Sequence, residues 1–287
     1  MTKDLFAGRI VDGKLVLEKE SRLSCWDWGV LYGYGLFETM RVYSDGRIFA
    51  LQRHLARLFS SCSHLEIDPG LTPEALADAA REYVVQTGLA QGALRLTVTR
   101  GDAHRGIRPA VFFFSRQVTY SPLDYERGYT AVFSPLRRNQ TSPLVYHKTL
   151  NYMENLLALE EARRAGAREV LFLNTNLHLT EGAVSNLFFV QGRILHTPAV
   201  TCGLLAGIAR QTVIDLASAR GYPVMLGEYV LENLLAADEA FLTNSLMEVM
   251  PLVKVNETLI NHGKPGPVAR ELLGHYRTLT GENPESS

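Results

Sequence analysis

The stretch ALRLTVTR, residues 93–100, sets apolar Leu94, Leu96 and Val98 against Arg95, Thr97 and Thr99. Strict alternation is the period of a strand with one buried face, and no helix can bury it. A sheet patterned this way needs a covering layer on its apolar side. The chain supplies one in ALQRHLARLFSSCSHLEI, residues 50–67, which brings Leu51, Leu55, Leu58, Phe59, Cys62 and Leu65 to one helical face. Thr72 and Pro73 open a further helix as cap and first residue, and Gly88 closes it. AVFFFSRQV is a more continuously apolar strand, and FAGRIVDGKLVL reads as a hairpin turning at Asp12-Gly13. The first ~120 residues therefore read as an α+β layer of sheet and helices.

TYSPLDYERG, with Pro122 among mixed polar residues, reads as a linker. Expected are a small N-terminal α/β domain over 1–118, a linker over 119–127 and a larger domain over 128–287. The second part opens with strand YTAVFSPL. A helix is expected within residues 146–166, with Leu150, Met153, Leu156 and Leu157 at helical spacing and Gly166 as its stop. Strand EVLFL, a hairpin around Gln191-Gly192 and helix IARQTVIDLASARG follow. Strands near Val224, Phe241 and Val249 and a helix over 267–279 come last, and the tail GENPESS is expected to fray.

Of the 287 residues, 46% are hydrophobic and 21% charged, with formal net charge −1. That balance gives no electrostatic case for nucleic acid or an anionic membrane. Cys25, Cys62 and Cys202 are scattered, which fits reduced thiols and neither a disulfide framework nor a metal site. There is no signal-peptide core and no apolar run of about 18 residues. The expectation is a soluble cytoplasmic protein.

Four places carry candidate chemistry. Lys148, beside His147, Asn151 and Tyr152, is either a solvated lysine or a Schiff-base lysine, whose amine becomes nucleophilic when desolvated. Glu181, in TEGAVSNLFFV, is either a turn glutamate or the anion that keeps a heterocyclic nitrogen protonated. Gly203 and Gly207 flank a helix start whose N–H groups and dipole suit a phosphate, although the spacing is neither that of a dinucleotide loop nor of a P-loop. Arg57 is either an exposed charge or a phosphate clamp. Together these are the protein parts a pyridoxal phosphate site needs.

Six motifs occur in order: YGYGLFET, RHLARL, HKTLNYMEN, TEGAVSNLFFV, GLLAGIARQ and TNSLMEVMP. Over nearly the whole chain the sequence resembles the fold-type IV pyridoxal-phosphate enzymes. These comprise branched-chain aminotransferases, D-amino acid aminotransferases and 4-amino-4-deoxychorismate lyases. The resemblance implies the two-domain α+β fold of the D-amino acid aminotransferase type and pyridoxal 5'-phosphate as cofactor. It implies that Lys148 holds the cofactor, that Glu181 pairs with its ring nitrogen and that Arg57 meets its phosphate. Backbone N–H groups of Ile208 and Ala209, with Ser245, complete the phosphate contacts. Ala209 stands where the family usually has Thr, so a hydroxyl contact is lost there. Tyr152 and Asn186 line the cofactor. The family is dimeric, which would let Tyr32 act on the partner's site.

Within the family, LYGYGLFETMRVY, SPLVYHKTLNYMEN and ADEAFLTNSLMEVMP read like the lyases. Only Thr149 and Leu150 separate Lys148 from Asn151, unlike the Gly-Gly-Asn-Tyr spacing of branched-chain enzymes. Arg105 is followed by Gly106 and Ile107, without the histidine of the D-amino acid carboxylate trap. The implied reaction converts 4-amino-4-deoxychorismate to 4-aminobenzoate and pyruvate. Lys148 is its base and acid, with Thr39 as helper and Arg105 and Arg100 as carboxylate partners. The alternatives are an aminotransferase for D-amino acids or branched-chain L-amino acids with 2-oxoglutarate, and a non-catalytic cofactor-binding protein.

Overall fold

The computed structural model describes residues 7–18 and 22–282; the tail expected to fray falls, from residue 283 on, outside them. The chain divides into two compact units. One holds the described residues up to 119 together with 147–151, the other residues 120–146 and those from 152 on.

In the first unit β1 (Ala7–Val11) and β2 (Lys14–Glu18) form a hairpin. Its two turn residues, Asp12 and Gly13, both have positive φ, which suits the right-handed twist of a two-residue hairpin. A short helix α1 (Trp28–Leu31) precedes β3 (Gly35–Val42). Helices α2 (Leu51–His64) and α3 (Pro73–Thr87) follow, then β4 (Gly92–Thr99) and β5 (Val111–Gln117). The sheet runs β2-β1-β5-β4-β3, antiparallel throughout. As the alternation requires, Leu94, Leu96 and Val98 face a core shared with Leu55, Leu58, Leu76 and Ala80 of α2 and α3. Each such leucine contributes roughly 2 kcal/mol by leaving water. The Thr72 hydroxyl accepts from the Ala75 N–H, and Gly88 ends α3 in the left-handed conformation.

The second unit begins where a linker is expected. Ser121 caps a short helix α4 (Pro122–Arg127), because Asp124 returns to its backbone N–H and closes a capping box. Then come β6 (Tyr129–Arg138), α5 (Met153–Arg164), β7 (Glu169–Asn174), β8 (Leu179–Gly182), β9 (Asn186–Gln191) and β10 (Ile194–Pro198). They are followed by α6 (Ile208–Ala219), β11 (Val224–Gly227), α7 (Leu231–Leu235), β12 (Glu239–Asn244), β13 (Glu248–Val255), β14 (Thr258–Leu259) and α8 (Pro267–Thr280). The strands run β11-β10-β9-β12-β13-β6-β7-β8, and β8 pairs again with β9, so the sheet closes on itself. Strands β7, β9 and β12 are almost wholly buried, and their apolar runs are continuous rather than alternating.

Two expectations fail at α5. The helix starts only at Met153, so Leu150, counted among its positions, lies before it, as Lys148 does. The apolar spacing also selects the wrong face. Met153, Leu156 and Leu157 are exposed, whereas Asn155, Ala158, Leu159 and Ala162 are buried. The alanine stripe lies in one cluster with Val170 and Phe172 of β7, where small side chains allow close approach. Among the described residues no helix is long and apolar enough to cross a membrane.

Candidate active site

Residues 147–151 belong to the first unit because they extend its edge strand. The Phe37 N–H donates to the Lys148 carbonyl and the Leu150 N–H to the Gly35 carbonyl, both at 2.9 Å. Leu36 and Thr149 bridge between those bonds. The ends are fastened by side chains. His147 Nδ1 is 2.9 Å from the Ser61 hydroxyl, and Asn151 Nδ2 donates to the Gly33 carbonyl at 3.1 Å. Lys148 is thus held by an extended segment with a fixed register, and its Nζ lies 4.4 Å from the centroid of the Phe37 ring. The Arg95 guanidinium lies 3.7 Å from the same ring, and Thr39 is opposite Arg95 in register. Phe37 and Thr39, two apart on β3, share this sheet face.

Glu38 points the other way and is buried. Its carboxylate accepts from Arg57 Nε at 2.8 Å and Nη2 at 2.6 Å, and from His54 Nδ1 at 2.7 Å. Burial opposes its charge, yet Arg57 and His54 hold its pKa at about 2. Burial pushes His54 down, and Glu38 only partly offsets that. We therefore read His54 as a neutral donor through Nδ1, with Arg57 as the ionic partner.

The remaining residues expected in this unit are placed as follows. Tyr32 is exposed and meets Trp28 edge-on, with centroids 5.7 Å apart. Arg100 lies over Trp28 at 4.8 Å and Tyr34 at 4.6 Å. Arg105 is no loose loop cation. It donates to buried Asp102 at 2.6 Å and lies 4.8 Å from the Trp26 centroid.

In the second unit Glu181 and Asn186 face each other across β8 and β9. Asn186 Nδ2 donates to the Glu181 carboxylate at 3.3 Å and to the Leu205 carbonyl at 2.9 Å, while the Leu205 N–H donates to Glu181 at 3.1 Å. Buried Arg210 donates to Thr197 and to the Pro198 carbonyl; burial lowers its pKa, and the charge of Glu181 opposes that. Gly207 caps α6, and a Cβ there would collide with Asn186 Oδ1. No side chain caps this helix, so the N–H groups of Ile208 and Ala209 point from its first turn without an intrahelical acceptor. Ser245 is half-buried in the turn between β12 and β13. The Tyr152 hydroxyl and Asn155 Nδ2 both donate to the Ala183 carbonyl, at 2.8 and 2.7 Å. Glu169 holds that turn from below. It accepts from the Ala183 and Val170 N–H groups and from the Ser185 hydroxyl. Its pKa is raised by burial, against those hydrogen bonds.

Sequence reasoning assigned no role to Glu38, His54, Arg95 or Glu169. Glu38 could have been found, since it interrupts the inward series Leu36, Met40, Val42 with a carboxylate. Among the described residues no group of three or more histidine, cysteine or acidic side chains could hold a metal ion.

The donors fit pyridoxal phosphate in kind. A lysine stands against an aromatic wall, a carboxylate is fixed by an amide and a backbone N–H, and an uncapped helix start is kept open by a glycine. The family described as amino-transferase class IV matches residues 35–255. A Methanocaldococcus jannaschii protein provisionally named branched-chain-amino-acid aminotransferase is 34% identical over 278 residues, covering 94% of this chain and 95% of the relative. The aminodeoxychorismate lyase of Bacillus subtilis is 31% identical over 271 residues, covering 92% and 91%. A branched-chain amino acid aminotransferase from T.th., solved with pyridoxamine 5'-phosphate, superposes with TM-score 0.90 at 27% identity, covering 99% of this chain and 97% of that one. The chain belongs to amino-transferase class IV.

Proposed function

We propose that this pyridoxal 5'-phosphate enzyme is a lyase that converts 4-amino-4-deoxychorismate to 4-aminobenzoate and pyruvate, a folate precursor step. When bound, the cofactor draws electron density away from the amine-bearing carbon of the substrate. Lys148 holds the cofactor and, once released by the substrate amine, takes the C4 proton at Nζ. Aromatisation of the ring then expels the enolpyruvyl group, and Lys148 Nζ returns a proton to its methylene carbon. Arg57, the Ile208 and Ala209 N–H groups and Ser245 bind the phosphate. Glu181, held by Asn186 and Leu205, keeps the ring nitrogen protonated, and Tyr152 lines the cofactor. Arg105 and Arg100 meet the substrate carboxylates.

The observation that carries the lyase reading is the Thr39 hydroxyl on the Lys148 face of β3, two residues from the ring under Nζ. A transaminase has no enolpyruvyl carbon to protonate and no use for a second proton relay there. The fastening of Arg105 to Asp102 supports it further, since that arginine is directed by an aspartate and is followed by Gly106 and Ile107, without a histidine two residues on. The higher identity of the M. jannaschii relative favours a second reading, aminotransfer with 2-oxoglutarate. We place the enzyme in the cytoplasm as a homodimer. Exposed Met153, Leu156 and Leu157 on α5, and Val30, Leu31 and Tyr32 at α1, support a protein surface over them.

The test is a product assay on cofactor-loaded enzyme. Chorismate, glutamine and a separate aminodeoxychorismate synthase generate the substrate, and 4-aminobenzoate and pyruvate are followed. D-Alanine and L-leucine with 2-oxoglutarate are offered in parallel. Catalysed 4-aminobenzoate without glutamate is the expected result. Glutamate without 4-aminobenzoate would move the protein to the aminotransferases.

A further inference from the structure

We propose that Glu38 is a positioning residue for the phosphate end of the cofactor, fixing the guanidinium plane of Arg57, with His54 as a second strut. The inference rests on the reading above that Arg57 meets the phosphate.

Core packing gives no reason for a carboxylate at position 38. Its strand neighbours on the inward face, Leu36 and Met40, are fully buried in an apolar cluster. An aliphatic residue would extend that cluster, whereas a buried carboxylate costs several kcal/mol unless it is paired and hydrogen-bonded. Glu38 is paired in a directional way. Its own side chain is 1% exposed, while that of Arg57 is 14% exposed. The acid is the anchor, and the guanidinium is the part that reaches outward.

The grip uses the Nε–Nη2 edge, two bonds from one carboxylate to one planar group. Two parallel bonds fix a plane, which one bond cannot do. A long arginine side chain otherwise has many rotamers, and a ligand would have to order it on binding. His54 holds the second side of the carboxylate from α2, one turn before Arg57, so the acid cannot swing with the guanidinium. As a neutral donor it steadies Glu38 without adding a second cation. There is an opposing effect, because a carboxylate beside the guanidinium weakens its pull on a phosphate. The arrangement exchanges some charge attraction for a fixed direction. β3 then serves both ends of the ligand. The backbone of Phe37 pairs with Lys148, and the next side chain sets Arg57.

The experiment measures affinity for pyridoxal 5'-phosphate and for pyridoxal, which lacks the phosphate. Purified enzyme is stripped of cofactor and titrated with each by absorbance. The expected result for Arg57→Ala is a large loss for the phosphorylated ligand and little change for pyridoxal. Glu38→Gln is expected to lose about tenfold for pyridoxal 5'-phosphate only. The double variant is expected to be no weaker than Arg57→Ala alone, because Glu38 acts through that residue. Equal losses for both ligands in Glu38→Gln, or losses that add in the double variant, would overturn the proposal and leave Glu38 a structural residue. Should Glu38→Gln fail to fold, Glu38→Asp carries the same comparison, since its shorter side chain keeps the charge and breaks the two-bond grip. If Arg57→Ala itself treats the two ligands alike, the phosphate reading of Arg57 falls, and the role of Glu38 with it.

Discussion

Glu38 of the first unit and Glu169 of the second are both buried, and the two have opposite fates. Glu38 lies between a guanidinium and an imidazole and is held far below the usual carboxylate range. Glu169 meets a hydroxyl and backbone N–H groups, and burial pushes it up. The same residue type under the same desolvation therefore differs by its partners alone. A full cation offsets burial, while neutral donors only moderate it. The use of each follows. Glu38 sets the guanidinium of Arg57, which on the proposed reading meets the cofactor phosphate. Glu169 sets a loop, residues 182–185, which carries the Ala183 carbonyl for Tyr152 and Asn155 and adjoins Glu181.

The most severe test is on the face of β3 opposite Glu38. Lys148→Ala should abolish covalent cofactor attachment and lower turnover by about 10³-fold or more, the span of a lost general base. Absorbance of the purified variant and product formation check this. Turnover near the wild-type rate would remove Lys148 from the chemistry and leave its contact with Phe37 a packing detail.

Next in size is the loop held by Glu169. Glu169→Ala strands the Ser185 hydroxyl and the Ala183 N–H in a dry site, at about 1–3 kcal/mol for each buried group left without a partner. Melting should fall by several degrees. Glu181 should also lose its definition, seen as a shifted cofactor spectrum in the loaded protein. A melting loss with an unchanged spectrum would show that this glutamate supports the fold and not the site.

How much of this was legible varies with the kind of pattern. The antiparallel sheet followed from the alternation at 93–100, because an apolar and a polar face leave a period of two, although Thr97 and Thr99 on the polar face are buried as well. The hairpins at Asp12-Gly13 and Gln191-Gly192 followed from turn chemistry. α5 was misread because spacing identifies a stripe but not its destination. Leu156 and Leu157 have the right period, yet the helix meets β7 through Ala158 and Ala162. The pairing of 147–151 with β3 was illegible, since four or five residues carry no periodicity and the bonds are backbone to backbone. Lys148, Glu181 and Arg57 were legible as motif residues. Glu38, His54 and Glu169 were not, for their roles depend on partners distant in sequence.

Acid titration separates the two glutamates directly. Glu38 has its folded pKa depressed from 4.5 to about 2. Its contribution is present above the unfolded value and is lost as pH falls toward 2, on the order of 3 kcal/mol in all. Glu169 is shifted upward, so its contribution is full below the unfolded value and is lost as pH rises through the folded one. Glu38→Gln should therefore flatten the loss of melting temperature on acidification below about pH 4.5. Glu169→Gln should do the reverse, removing a penalty that the wild type carries at neutral pH. If both variants change the acid limb in the same direction, the two sites do not differ as described.

The smallest effect sharpens the chemistry on the lysine face. Thr39 is two residues along β3 from Phe37, and its hydroxyl contributes a proton relay only if an enolpyruvyl carbon must be protonated. Thr39→Val keeps the shape and the β-branched fit of the strand, so stability should hold. The rate of 4-aminobenzoate formation should fall by about tenfold, below the range of a principal acid–base group because Lys148 remains. Pyruvate release should slow with it, and the loss should be larger in the proton-return step than in cofactor binding, which a deuterium solvent effect on turnover can resolve. An aminotransferase would be indifferent to this hydroxyl, since it returns its proton to the cofactor and not to a leaving group. A wild-type rate in Thr39→Val would therefore count against the lyase reading even where Lys148→Ala behaves as expected.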